Sequence, residues 1–306
     1  MAPAPTKQRG SVLIAVAATL AIVAVSYFAT LAMKDMERKA GKVIGGKSTL
    51  DTLDTALANF VAQNRRLPCP ANGVLPSTSA TAGAETLAVG TGLCAPANQR
   101  TGVVPWRTLG LPESAALDVY GNRISYRVDP RLALQFLPPN PSGFAAMNMV
   151  NCTPGGLFPA SSVTITGTSP GPYNECGPNA GASSQDIVLA NRGLPVTDGA
   201  GIWLNNPAFL ASTATAGAAY VLISHGQNAA GAYMSSGTLS TGTGTVGTNE
   251  TPNRNNRNLM TGSVVAQSYR DVTPANATQT AQHFDDVISH PTIIQVLAKA
   301  HLNPRN

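Results

Sequence analysis

The stretch SVLIAVAATLAIVAVSYFATLAM, residues 11–33, contains no charged residue and lies between Arg9 and Lys34 in the sequence. A helix rises about 1.5 Å per residue, so this stretch is long enough to cross the roughly 30 Å hydrocarbon core of a bilayer. The apolar core of a secretory signal peptide is shorter, usually about 7–15 residues. The stretch therefore predicts a membrane-spanning helix that the mature protein keeps.

The helical pattern continues beyond this stretch. Over residues 34–66 the apolar residues recur at steps of three and four, which is typical of an amphipathic helix. They are Met36, Ala40, Val43, Ile44, Leu50, Leu53, Leu57, Phe60 and Val61. The sequence RRLPCP (65–70) has basic residues followed by prolines, which is a common helix end. We therefore expect one long N-terminal helix followed by a globular domain over 67–306.

Charge and cysteine content limit where this domain functions. Charged residues make up 11% of the chain, and the net charge of +5 is not gathered into one tract, so nucleic acid is not an expected partner. Four cysteines form two sequence-local pairs. We favour the disulfides Cys69–Cys94 and Cys152–Cys176, while two other connectivities stay open. Disulfides form outside the cytoplasm, which predicts a cytoplasmic N-terminus and an exported C-terminal domain.

The globular part combines short strands with long loops rich in Ala, Ser, Thr and Gly. Short apolar runs of strand length lie at 103–106, 124–128, 163–166, 187–190 and 220–224, and helical spacing covers 285–302. We expect an α+β fold in which the long N-terminal helix, membrane-spanning in its first half, packs on an antiparallel sheet.

Several segments resemble one known family. A short basic leader ends at Gly10, and the apolar helix opens with Ser11. Five further segments are RRLPCPANG (65–73), VPWRTLGL (104–111), DVYGNRISYRV (118–128), AYVLISHGQNAAGA (219–232) and FDDVI (284–288). Together they resemble the type IV pilins and the pseudopilins of type II secretion. The resemblance covers both ends of the chain and leaves the middle, about residues 130–215, unmatched, which implies an irregular, loop-rich expansion there.

The resemblance implies how the chain is processed and where it resides. A prepilin peptidase would remove the leader 1–10 by cutting after Gly10 and would methylate the new N-terminus at Ser11. The helix 11–33 would first anchor the chain in a bacterial inner membrane, with the C-terminal domain in the periplasm. It would then pack among the helices of other pilins or pseudopilins in a filament. No catalytic activity and no cofactor are implied.

Ala15 departs from the family pattern. The family usually has glutamate at the fifth residue of the mature chain, where the carboxylate pairs with the N-terminal ammonium group of a neighbouring subunit. Some minor pseudopilins at a filament tip are similar to this chain in lacking that glutamate, so the resemblance implies a minor or initiating subunit. Small residues suited to close helix packing are Ala15, Ala17, Ala18, Ala21 and Ala24.

No catalytic motif stands out in the sequence. Ser224 and His225 are adjacent and are interpreted as structural residues. His283, Asp285, Asp286 and His290 could crowd a divalent metal, but four such residues are common in a surface turn, and we expect the two aspartates to cap the C-terminal helix. The family's calcium loop corresponds to Gln227 and Asn228, which are neutral, and the only carboxylates near it in sequence or at the C-terminal end are Glu250 and Asp286, so a calcium site would be poorly supplied with charge. The sequence therefore predicts no catalytic and no metal residues.

One alternative function uses the same features. Gly10 would be incidental, the helix would be an uncleaved membrane anchor, and the exported domain would be a binding or adhesive module that does not polymerise. A weaker alternative is an anchored hydrolase that uses His225, or His283 with Asp286.

Overall fold

The computed structural model describes residues 9–88, 94–95, 102–129, 132–133, 193–206, 217–254, 268–275, 281 and 283–302. The chain divides into two compact units, Met1–Gly45 and Gly46–Asn306. Cys152 and Cys176, most of the expected expansion, and the expected strands at 163–166 and 187–190 lie outside the described residues.

Helix α1 spans Arg9–Asn64. Among its described side chains, the large apolar ones that are buried all fall in the last third: Leu50, Leu53, Leu57 and Val61. Their three- and four-residue spacing places them on one face of the helix. The helix ends where Arg65 takes a positive φ of 57°, and Pro68 follows within three residues. The last third of α1 therefore packs into the core of the larger unit.

A five-stranded antiparallel sheet forms the centre of this unit. Its strands are β1 (Ala71–Asn72), β2 (Gly102–Val103), β3 (Ser125–Val128), β6 (Tyr220–Ser224) and β8 (Val287–Ser289), in the order β1-β2-β3-β6-β8. Strands β3 and β6 pair over their whole lengths, from Ser125 opposite Ile223 to Val128 opposite Tyr220. All residues of both strands are buried. The predicted strand 220–224 has the bounds that the sequence indicates.

A second, smaller sheet has three strands. Strand β4 (Val196–Thr197) lies between β5 (Trp203–Asn205), to which it is antiparallel, and β7 (Tyr269–Arg270), to which it is parallel. The apolar residues Leu194, Val196 and Tyr269 form a core cluster with Val221 and Ile223 of β6. These side chains pack the second sheet against strand β6 of the first sheet.

The predicted fold class is wrong. The sequence led us to expect a long helix, membrane-spanning in its first half, on one antiparallel sheet. The described part of the chain instead has eight strands in two sheets, and one sheet contains a parallel pair. Among the described residues, no helix is both long enough and apolar enough to cross a membrane, which conflicts with the expected single-pass anchor at 11–33. The pattern of a strand as short as β4 or β7 carries no information about its partner or direction.

The C-terminal segment also differs from the predicted helix over 285–302. It begins with strand β8, and the helix α2 covers only Ile293–Lys299. Thr292 and Gln295 form a capping box at its N-terminus, with the Gln295 amide donating to Thr292 Oγ1 at 3.2 Å. Asp285 and Asp286 therefore do not cap this helix, because a strand separates them from it.

The predicted disulfide Cys69–Cys94 is confirmed, with a Cα–Cα distance of 5.3 Å. Glu85 strengthens this region by forming a bidentate ion pair with Arg66, at 2.7 and 2.8 Å. The same carboxylate accepts the Cys69 amide at 2.9 Å. The disulfide and the ion pair both hold the segment that leaves α1 against the loop before β2.

Candidate functional site

His283, Glu250 and Asp285 form a cluster of largely buried ionisable side chains in the larger unit. Glu250 immediately precedes the short 3-10 helix Thr251–Asn253, and the other two residues precede strand β8. His283 Nε2 lies 3.6 Å from Glu250 Oε1 and 3.9 Å from Asp285 Oδ2. One potential ligand atom of each residue lies within 4.8 Å of the other two. We name these three residues the His283 cluster.

Hydrogen bonds from neighbouring loops hold both carboxylates of the His283 cluster. Glu250 Oε2 accepts from the Gly247 amide at 2.5 Å and from Asn228 Nδ2 at 2.8 Å. Its Oε1 accepts from the Asp285 amide at 2.7 Å. The backbone amide of Asn228 donates to Asp285 Oδ2 at 2.9 Å. Both acidic side chains are therefore fixed in position by groups that are themselves part of the folded loops.

The backbone around Asp285 tolerates little added bulk. Gly226, with φ +58°, lies so close to Asp285 that a Cβ at this position would overlap the Asp285 carbonyl oxygen and carboxyl carbon. Gly226 follows His225 directly after strand β6, so the turn brings the Asn228 amide to the Asp285 carboxylate. Glycine is the residue that this left-handed, crowded turn requires.

In the His283 cluster, the pKa of Asp285 lies well above the usual value of a carboxyl group. Burial raises the pKa of Asp285 to about 7, an effect opposed by the Asn228 amide and increased by the nearby Glu250 carboxylate. Asp285 Oδ1 is buried and, among the described residues, has no hydrogen-bond partner. The site thus holds one carboxylate oxygen for which the described residues supply no N–H or O–H donor.

A second buried group lies next to this cluster and superficially resembles a hydrolase triad. Ser125 Oγ lies 2.9 Å from His225 Nε2, and His225 Nδ1 lies 3.7 Å from Asp286 Oδ1. All three side chains are buried, and Ser125 belongs to the interior strand β3. Burial lowers the pKa of His225 to about 3, with further contributions from Arg127 and Arg254. A substrate could not contact this serine without local unfolding, so the arrangement does not support a hydrolase.

The residues that the sequence singled out therefore separate into different groups. His283 and Asp285 come together, but Asp286 accepts from Asn253 Nδ2 at 2.8 Å, with its pKa raised well above the usual value by burial. His290 lies elsewhere, with Nδ1 at 2.6 Å from Asn205 Oδ1 and Nε2 at 3.1 Å from Asp271 Oδ2. The four residues that are close in the sequence are therefore not the residues that form one cluster in the structure.

The sequence indicated Glu250 only as a carboxylate available to the family's calcium loop and did not place it with His283 and Asp285. Glu250 is the only acidic residue between Asp198 and Asp271, within a segment rich in Gly, Ser and Thr. It is also 1% exposed. An isolated carboxylate in a long neutral loop was the available signal, but its partner lies 33 positions further along the chain, and no local pattern connects the two.

A groove lies between the end of α1, strand β8 and helix α2. It has a volume of about 450 Å³, and its lining includes Asp54, Tyr220, His290 and Lys299. Tyr220 donates to Asp54 Oδ1 at 2.8 Å and Ser289 Oγ donates to Asp54 Oδ2 at 2.6 Å. Because both oxygens of this carboxylate are occupied by structural contacts, the groove does not present a set of converging ligand groups.

An exposed apolar surface lies on the smaller unit. Tyr27, Phe28 and Met33 of α1 are 61%, 69% and 61% exposed, and Leu31 is also exposed. The rings of Tyr27 and Phe28 contact each other edge to face, with centroids 6.1 Å apart. Successive helical residues are separated by about 100°, so Tyr27, Phe28 and Leu31 share one side of the helix. We name these three residues the α1 apolar face.

The predicted processing residues lie at the start of the same helix. Helix α1 begins at Arg9, so Gly10 and Ser11 fall in its first turn. Ala15, Ala17, Ala18, Ala21 and Ala24 also belong to α1, but their side-chain surroundings lie outside the described part of the structure. The processing and helix-packing assignments stay predictions.

Comparison with known proteins adds no assignment. No family model matches the chain, and neither the comparison with curated proteins nor that with solved structures found a match.

Proposed function

We propose that this protein is a non-catalytic structural subunit, of the minor or initiating type, in a type IV pilus or a type II secretion pseudopilus. The observation that carries the proposal is the α1 apolar face together with Met33 on the same helix. Four large apolar side chains exposed within seven residues are unusual for a surface that remains in water. They support a helix whose working state is packed against other chains.

The chemistry of this surface favours helices of neighbouring subunits as the occupants. Burying one large apolar side chain contributes about 1.5–3 kcal/mol, so a contact that covers several of them supplies a substantial association energy. The surface lies on a continuous helix, and helix pairs bury such side chains efficiently by interlocking them. Other pilin or pseudopilin chains are therefore the proposed partners, through the N-terminal helix.

The N-terminal processing step is the second part of the proposal. Cleavage after Gly10 by a prepilin peptidase would leave Ser11 as a methylated N-terminus. The first turn of a helix has amide groups without intrahelical acceptors and opens readily, which is compatible with protease access at this position. Ala15 cannot supply the carboxylate that the repeating subunits of the family use, which favours a minor subunit.

Mass spectrometry of the full-length chain expressed with a prepilin peptidase tests the proposal. The expected product begins at Ser11 and carries one added methyl group. Gly10→Val should block cleavage because it places a branched side chain at the cleaved bond. Gly41→Val is the matched control on the same helix, since a Cβ there meets nothing within 4 Å. A product that keeps residues 1–10, or cleavage that is unaffected by Gly10→Val, would refute the processing step.

A binding or adhesive module that never polymerises is the other outcome of this experiment. Such a protein would keep its N-terminus and would remain monomeric when mixed with candidate subunits. Mass spectrometry therefore reports whether the N-terminus is processed. Cross-linking reports separately whether the chain assembles with other subunits.

A further inference from the structure

The His283 cluster has the composition of a metal site that the proposed filament role does not require. It combines one imidazole nitrogen with carboxylate oxygens from two residues, and all three side chains are largely buried. His283 and Asp285 come from the segment before β8, whereas Glu250 comes from the long loop after β6. A cation bound here would link two chain segments that no described disulfide connects.

The distances within the cluster match a small tetrahedral ion. Ligands about 2.0–2.2 Å from a tetrahedral centre are separated from each other by roughly 3.3–3.6 Å. The 3.6 Å between His283 Nε2 and Glu250 Oε1 falls at this limit, and the 3.9 Å to Asp285 Oδ2 exceeds it by a few tenths of an ångström. Small side-chain rotations would therefore suffice to form the site.

A separate observation also points to a cation. Asp285 Oδ1 is a buried carboxylate oxygen without a hydrogen-bond donor among the described residues. The side chain is only 15% exposed, so water compensates little of its charge. Buried polar atoms are nearly always satisfied, and a carboxylate oxygen without a donor has the chemistry of a metal ligand.

The charge balance supports the same conclusion. Within the described part of the chain, the only ion pairs of Glu250 and Asp285 are those with His283, and no lysine or arginine pairs with either carboxylate. Two carboxylates in a buried site repel each other unless a shared proton or a cation compensates them. A divalent cation would neutralise both at once.

The ligand set of the His283 cluster favours one kind of cation. The Glu250 carboxylate already accepts three N–H donors, from Gly247, Asn228 and Asp285, which leaves about one of its four lone-pair sites for a metal. Calcium needs about six to eight oxygen ligands, which these residues do not provide. One nitrogen and two oxygens, completed by water, suit a four-coordinate zinc-type ion. The hydrogen bonds that fix Glu250 would act as its supporting shell.

We propose that His283, Glu250 and Asp285 bind one divalent transition-metal ion, with Zn²⁺ as the expected ion. The bound metal would join the loop that carries Glu250 to the segment that enters strand β8.

The test uses the untagged full chain, stripped of metal with a chelator, and titrates Zn²⁺ against a chromophoric competitor. The expected result is one tightly bound equivalent. Co²⁺ should bind at the same site and produce the visible absorption of a four-coordinate ion. His283→Gln should weaken Zn²⁺ binding by at least about 10-fold. The matched control is His290→Gln, because His290 interacts with Asn205 and Asp271 and should leave the affinity unchanged.

Three results would overturn the proposal. They are the absence of Zn²⁺ binding by the wild-type chain, the same affinity in His283→Gln, and binding of Ca²⁺ in preference to Zn²⁺ and Co²⁺. Circular dichroism shows whether His283→Gln folds. If it does not, Asp285→Asn decides, since it keeps the size of the side chain and an acceptor for Asn228 but loses the charge; unchanged Zn²⁺ affinity in this variant refutes the site. Metal binding is measured without any processing, so its outcome is independent of the filament proposal.

Discussion

Tyr220 in strand β6, an interior strand of the five-stranded sheet, donates its phenolic hydroxyl to Asp54 of helix α1 at 2.8 Å. Ser289 of the neighbouring strand β8 donates to the other oxygen of the same carboxylate at 2.6 Å. One side chain of the helix therefore connects it to two adjacent strands. Burial raises the pKa of Asp54, and the two hydrogen bonds act in the opposite direction. The last third of α1 is thus attached to the sheet by polar contacts as well as by its buried leucines.

Replacing Asp54 should weaken this attachment. Asp54→Ala leaves the Tyr220 and Ser289 hydroxyls without their acceptor, and we expect the free energy of unfolding to fall by about 1–3 kcal/mol. Asp51→Ala is the control, because Asp51 is exposed on the same helix one turn earlier. Urea unfolding at neutral pH measures both. An equal loss in the two variants would show that the hydrogen bonds of Asp54 contribute nothing specific.

His225 should make the fold sensitive to acid. Its pKa is lowered from 6.5 to about 3 by burial, with Arg127 and Arg254 adding to the effect and Asp286 Oδ1 lying 3.7 Å away. The unfolded chain therefore binds a proton at a pH where the folded chain does not. The stability that this neutral histidine contributes is complete above pH 6.5 and is lost as the pH falls from 6.5 towards 3.

The expected size of this effect is up to about 1.4 kcal/mol per pH unit for a single group. His225→Gln removes the titration, so the difference in unfolding free energy between wild type and variant should shrink as the pH decreases from 7 to 4. Urea unfolding at several pH values gives that difference. A difference that stays constant across this range would contradict the assignment of the acid sensitivity to His225.

Arg123 should be one of the most sensitive positions in the larger unit. Its guanidinium is buried, pairs with Glu113 at 2.9 Å, and donates to the carbonyls of Gly73 and Leu75 at 3.1 and 2.6 Å. It also lies over the ring of Trp106, with Cζ 5.0 Å from the centroid. Removing one partner of a buried ion pair commonly destabilises a protein by about 3–5 kcal/mol.

Arg123→Met should therefore reduce the unfolding free energy by that amount in a urea titration. Arg107→Met is the matched control, because Arg107 is exposed and its side chain has one described hydrogen bond, to the Ala80 carbonyl. The control should change the stability by about 0.5 kcal/mol or less. If both variants lose the same stability, the network around Arg123 is not the cause.

The α1 apolar face should control assembly without affecting the fold. Phe28 and Leu31 are exposed, so the double change Phe28→Ser and Leu31→Ser should leave the thermal unfolding of the larger unit unchanged. Cross-linking between subunits should decrease several-fold, because the apolar area available to a neighbouring helix is smaller. Ile44→Ser is the control, an exposed apolar residue of α1 outside this face. Equal cross-linking in all three proteins would remove the main support for the filament proposal.

Features that depend on residues close together in the sequence were predicted correctly, whereas features that depend on residues far apart in the sequence were not. Strand β6 was predicted with its correct bounds because YVLIS is a continuous run of strand-forming residues that is buried on both faces. The helix after residue 285 was wrong because Val287 and Ile288 fit a helical spacing and a strand equally well. Pairing with β6, from Leu222 opposite Ser289 to Ser224 opposite Val287, selects the strand.

The sequence by itself determined the features that depend on nearby residues. It predicted the apolar spacing along α1, the end of that helix before Pro68, and the Cys69–Cys94 disulfide, whose partners are close along the chain. Only the tertiary structure decided which strands pair, including β4 with β7, and which carboxylate joins His283. Glu250 and His283 meet because two loops fold over the end of the main sheet, and such a contact leaves no periodic pattern in the sequence.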